Sequence, residues 1–156
     1  MRADAHCAGF KVFTGLRKPR IALDRYLGRL VHYLDSYSEE APGVASFGLR
    51  ALVVGSTYVD RMGATFGFEL TSMNAHRVFM VCTLLASKMV DDEPCSNDYY
   101  SNVGGVSLQE INQLEVALLK ALDWNASVPT EAYARAVAKF NPMLGFALEP
   151  PLRPPL

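Results

Sequence analysis

Residues 78–86, Val-Phe-Met-Val-Cys-Thr-Leu-Leu-Ala, are apolar on nearly every side of a helix. A helix apolar all round must be buried all round. At nine residues the run is far short of the roughly 18 that a membrane span needs, so it has to be enclosed by other parts of the chain. Thr71 or Ser72 can cap this helix, which is expected to extend to Val90, where Asp91-Asp92-Glu93 and Pro94 stop it. The fold must therefore place one helix at its centre and supply amphipathic partners around it.

The partners are legible as helical periods. Leu23, Leu27, Leu30, Val31 and Leu34 recur at three and four, after Pro19, and define a first helix ending near Ser36 to Glu40. Pro42-Gly43 marks a turn, and Val44 to Met62 reads as a second helix, with Gly63 to Phe68 as a loop. A short fourth helix is expected over 97–103, ended by Gly104-Gly105. Ser107-Leu108-Gln109-Glu110 is a capping box that opens a fifth helix running to about Leu122. Pro129-Thr130-Glu131 opens a sixth, ended at Asn141-Pro142. No strand alternation persists. The fold class is all-α, with five helices bundled around the buried third and a further C-terminal helix. With half of its 156 residues hydrophobic, the chain has ample material for that core. The organisation reads as a basic extension over 1–18, a helical domain over 19–128, a helix over 129–141 and a Pro-rich tail over 142–156.

Charge and cysteine content exclude several classes. The net charge is −1, divided into +5 over residues 1–34 and −6 over the remainder, which argues against nucleic acid as a partner. Cys7, Cys82 and Cys95 are too few for a disulfide framework. With no apolar secretory segment at the start, an intracellular setting, cytoplasm or nucleus, is expected. Asn125-Ala126-Ser127 fits a glycosylation acceptor, which has no use in that setting. Asp91, Asp92, Glu93 and Asp98 lack the alternation of a calcium loop, and no histidine stands at a ligand spacing, so no metal or cofactor is expected. Gly104-Gly105 is explained by a turn, and the Pro-x-x-Pro of the tail by a solvated segment.

Two ionisable residues stand where apolar ones are expected. On the fifth helix, Leu108, Ile111, Leu118 and Leu122 form the inward stripe, and Glu115 lies on it, four after Ile111 and three before Leu118. On the third, Lys88 falls four after Leu84 and three after Leu85. A lysine at a helix end reaches water by its long stem. A mid-helix glutamate cannot do so as easily, and unpaired charges are rarely buried. The two are expected to match each other at the rim of the core, ready to bond a partner's backbone, and so to matter less for folding than for binding. Asp60, at the close of the second apolar segment, poses a similar question; a cation from the first helix, such as Arg29, would answer it.

These residues belong to a larger pattern. Ala86-Ser87-Lys88-Met89-Val90-Asp91-Asp92, Asn97-Asp98-Tyr99-Tyr100, Val103-Gly104-Gly105 and Glu110-Ile111-Asn112-Gln113-Leu114-Glu115 together resemble the cyclin box. They are most similar to the phosphate-regulation (PHO-type) cyclins and their plant P/U-type relatives. Tyr58-Val59-Asp60-Arg61 and Asn74-Ala75-His76-Arg77 match further signatures, as do Phe13 to Pro19 and Tyr26-Leu27-Gly28-Arg29. The resemblance covers about residues 10–133. It implies a five-helix box around a central third helix and a chain that is not itself an enzyme. It also implies a regulatory subunit that binds and activates a cyclin-dependent protein kinase, with no obligate homo-oligomer. It implies that Lys88 and Glu115 reach the kinase backbone, that Met89 and Trp124 make apolar contacts to it, and that Arg29 and Asp60 form a structural ion pair. The Met-Arg-Ala-Ile-Leu substrate-docking run of cell-cycle cyclins is replaced by Tyr26-Leu27-Gly28-Arg29-Leu30. The alternative is a cyclin-fold, transcription-factor-like module that binds DNA or other proteins, supported only by Lys11, Arg17, Lys18 and Arg20.

Overall fold

The computed structural model describes residues 9–37 and 46–144. A 3-10 turn (Phe10–Phe13) precedes six α-helices: α1 (Leu23–Tyr37), α2 (Phe47–Phe66), α3 (Ala75–Val90), α4 (Asn97–Gly104), α5 (Leu108–Ala121) and α6 (Thr130–Leu144). No strand occurs among the described residues. Residues 1–8 of the basic extension, the Pro42-Gly43 turn and positions 145–156 of the tail lie outside them.

Three of the helix starts, those of α2, α4 and α5, are fixed by serine caps. Ser46 Oγ accepts from Leu49 N–H at the head of α2, Ser96 Oγ from Tyr99 N–H at α4, and Ser107 Oγ from Glu110 N–H at α5. Only half of the expected capping box closes, because the Glu110 carboxylate turns to Arg77 Nε at 2.8 Å and ties α5 to α3 instead. Asp35 of α1 adds a cap across helices, accepting from Ser46 Oγ at 2.6 Å and from Gly48 N–H at 2.8 Å.

Four boundaries differ from the sequence reading, the first being the start of α2, which lies at Phe47 behind the Ser46 cap rather than at Val44. The second helix does not stop at Met62 but runs to Phe66, where Gly67 at φ 66° provides the left-handed C-cap. The third begins at Ala75 rather than at Ser72. Asn74 Oδ1 accepts from Thr71 N–H and holds 71–74 as a turn. The last helix continues through Pro142 to Leu144, since one missing N–H removes a single bond of the closing turn.

The central position of α3 is realised. Val78, Met80, Val81, Cys82, Leu84 and Ala86 are wholly inaccessible, and the helix lies against α1, α2 and α5. Its approach to α2 is close. A Cβ on Gly55 would stand 2.9 Å from the Cys82 carbonyl carbon and 3.0 Å from Thr83 N, so only glycine allows this spacing. Helix α6 packs on α2 through a separate small cluster of Val53, Ala136 and Val137.

Candidate functional site

Helices α3 and α5 bring Lys88 and Glu115 together. Leu84 and Leu85 anchor the last turn of α3, and Ile111, Leu114 and Leu118 anchor α5, so the two charged stems emerge side by side at the core's edge. Lys88 Nζ donates to Glu115 Oε1 at 2.6 Å, and Asn97 Nδ2 of α4 donates to Glu115 Oε2 at 2.8 Å and to Asn112 Oδ1 at 2.8 Å. The side chains of Lys88 and Glu115 are 30% and 14% exposed. The pair therefore faces solvent chiefly through the ammonium, while both carboxylate oxygens are engaged inside the chain. Asn97 Oδ1 is buried and makes no hydrogen bond.

Met89 and Trp124, singled out from the sequence, are both exposed, the tryptophan to 63%. Trp124 follows Asp123 in a left-handed pair, with φ of 57° and 52°. The left-handed pair ends α5 and turns the chain away from the helix axis. Trp124 N–H donates to Leu119 O at 2.8 Å, which locks the turn.

The sequence reading missed an apolar groove of about 680 Å³ beside this cluster. Phe10 and Val12 of the 3-10 turn form one wall; α5 forms the other, with Val116, Ala117 and Ala121 interleaved with the polar Gln109, Asn112, Gln113 and Lys120. The Phe10 ring is held 5.3 Å from Phe66 and 5.2 Å from Phe68. Val116 lies off the inward stripe, so its 43% exposure was implicit in the helical period; its pairing with Phe10 was not. Leu108, placed on that stripe by its spacing, is in fact exposed, because it sits in the first turn, beyond the covering helices.

The expected Arg29–Asp60 ion pair does not form. Asp60 is exposed and stands 4.0 Å from Lys139 of α6. Arg29 lies over the Tyr26 ring, 5.2 Å from its centre. The two residues occupy helix faces that diverge. Asp60 falls on the side of α2 that receives α6, whereas Arg29 turns toward the C-terminus of α4, with Nη2 near Gly105. Tyr26 OH donates to Gly104 O at 2.9 Å, and burial pushes its pKa up to about 12.

Among the described residues, no three His, Cys, Asp or Glu side chains converge as metal ligands, and no helix is long and apolar enough to cross a membrane.

Comparison with known proteins places the same stretch in one family. Residues 2–126 match the family model described as Cyclin. Cyclin-U1-1 of Arabidopsis thaliana is 34% identical over 119 residues, covering 76% of this chain and 51% of that protein. Cyclin-P4-1 of Oryza sativa subsp. japonica is 31% identical over 145 residues, covering 92% of this chain and 63% of that protein. Cyclin-U4-3 of Arabidopsis thaliana is 31% identical over 147 residues, with coverage of 88% and 62%. The chain thus spans between about half and just under two thirds of these relatives' lengths.

Proposed function

The chain belongs to the cyclin family, and from that membership we propose that it is the regulatory subunit of a cyclin-dependent protein kinase, which it binds and activates inside the cell while carrying no catalysis of its own. The observation that carries this reading is the Lys88–Glu115–Asn97 cluster standing at the rim of the apolar groove through Asn112. That combination offers a partner helix an apolar seat and, beside it, fixed polar groups for exposed backbone at the helix end. Met89 and Trp124 extend the apolar contact, and a large exposed aromatic is the residue type on which binding energy concentrates.

Activation follows from differential binding. A protein kinase transfers phosphate only when the αC glutamate meets the β3 lysine. A subunit that grips αC solely in that position shifts the equilibrium by its preference for that state. Moving a kinase from about 1% to about 99% active requires a preference of roughly 10⁴-fold, or about 5.5 kcal/mol. The apolar anchors of the groove and the Lys88–Glu115 pair beside it are the contacts from which that preference would be drawn.

Co-expression of this chain with the cyclin-dependent kinases of its own cell, purification at gentle salt and assay of peptide phosphorylation test the reading. The expected result is a stoichiometric complex whose kinase activity depends on the chain. Trp124→Ala should weaken the complex by about 2 kcal/mol or more. A folded sample that retains no such kinase overturns the reading.

A further inference from the structure

A second cavity, of about 350 Å³, lies between α2 and α6, away from the α3–α5 cluster. Its charged lining is Asp60 and Arg61 from α2 and Arg135 and Lys139 from α6, three cations against one carboxylate. This is a local charge of +2 on a chain whose net charge is −1.

The cations are disposed for an anion. Arg61 Nη1 donates to Asn125 O at 2.9 Å and to Ser127 O at 3.4 Å, and Nη2 donates to Leu122 O at 3.4 Å. Those acceptors are neutral carbonyls, so they fix the guanidinium in place and leave its charge uncancelled. Arg135 and Lys139 are four residues apart on one face of α6, a mildly repulsive like-charge spacing, with Glu131 one turn before Arg135 on the same face. Asp60 offsets only part of this, since its contact with Lys139 is 4.0 Å long and both side chains are about two-thirds exposed. The cavity's remaining wall is largely apolar, formed by Ala64, Val128, Pro129, Ala132 and Ala136 with Thr57, whose hydroxyl donates to Val54 O.

We infer that this cavity is a docking site for a phosphorylated serine or threonine carried on a peptide. A phosphoryl group brings about −1.5 to −2 of charge and three strong acceptor oxygens, which match the local charge and the free guanidinium fork of Arg135, with Arg61 contributing chiefly its charge. A carboxylate brings half that charge. The apolar wall accommodates the residues flanking the modified side chain, for which a free anion has no use. The inference stands whether or not the chain engages a kinase.

The test is fluorescence anisotropy of the purified chain with a short labelled peptide, one central phosphoserine between apolar residues, at low salt. Saturable binding is expected, at least about tenfold tighter than for the same peptide with glutamate or unmodified serine at that position. Arg135 is exposed and free of other bonds among the described residues, so Arg135→Glu should abolish binding while leaving the circular dichroism spectrum and melting temperature unchanged. Lys139→Gln should weaken binding several-fold, and Arg25→Glu on α1 should have no effect. Equal affinity for the three peptides overturns the inference. So does full displacement by equimolar inorganic phosphate, or unchanged binding in folded Arg135→Glu.

Discussion

Removing Lys88 should destabilise the chain itself, although its ammonium reaches solvent. In Lys88→Ala, Glu115 keeps only the Asn97 bond at 2.8 Å, and its carboxylate, 14% exposed, has lost the cation 2.6 Å away. Stranding one partner of a fully buried pair costs about 3–5 kcal/mol, whereas an exposed pair is worth at most about 1 kcal/mol. With Lys88 30% exposed and Glu115 nearly buried, the loss should fall between these limits, near 2 kcal/mol. A change of that size lowers the melting temperature of a domain this long by about 4–8 °C. Glu115→Ala should cost less, about 1 kcal/mol, because the freed ammonium reaches water along its stem. In Lys88→Ala/Glu115→Ala the total should fall short of the sum by about 1 kcal/mol, the coupling between the two residues. Urea unfolding of the four proteins, followed by far-ultraviolet circular dichroism, gives all three values. If Lys88→Ala lies within about 0.3 kcal/mol of the parent and the cycle shows no coupling, the pair contributes nothing to the fold. The expectation from the sequence, that these charges matter less for folding than for binding, would then stand after all.

Asp60→Ala should cost less than about 1 kcal/mol in a denaturant melt, because the residue is exposed and its cation is 4.0 Å away; a loss of 3 kcal/mol or more would mean that it is buried against a cation in solution. Gly55→Ala should destabilise by about 1–2 kcal/mol, since overpacking against the α3 backbone outweighs the gain in helix propensity of about 1 kcal/mol. Gly28→Ala, on an open face of α1, should instead stabilise by about 0.5–1 kcal/mol. If the two substitutions behave alike in thermal melts, the close α2–α3 approach is wrong. Burial pushes Tyr26 and Tyr58 up to about 12. The unfolded chain therefore releases these protons near pH 10 while the folded chain still holds them. The stability present below pH 10 should fall between pH 10 and pH 12. Urea midpoints measured across that range should decline, less steeply in Tyr26→Phe/Tyr58→Phe, and a flat profile would refute the assignment.

The amphipathic periods of the chain fixed its helices, and the all-round apolarity of residues 78–86 required α3 to be central, because no other placement keeps that surface from water. Lys88 and Glu115 were legible for the same reason: a charge in an apolar stripe is conspicuous in one dimension. What a helical wheel lacks is the identity of the helix that each face meets. Arg29 and Asp60 therefore looked like complementary charges, yet α6 takes the side of α2 that carries Asp60 and supplies Lys139 instead. The capping box also read correctly as a helix start while its glutamate left for Arg77, a partner 33 residues away in the chain. Both sites of interest are of this second kind. The groove needs the Phe10 turn to lie beside Val116, and the cationic cavity needs Arg61 to face Arg135 and Lys139. These residues are separated by long stretches of sequence, and only the packing of helix on helix, set by side-chain shape and by close approaches such as Gly55 against Cys82, brings them within reach of one ligand.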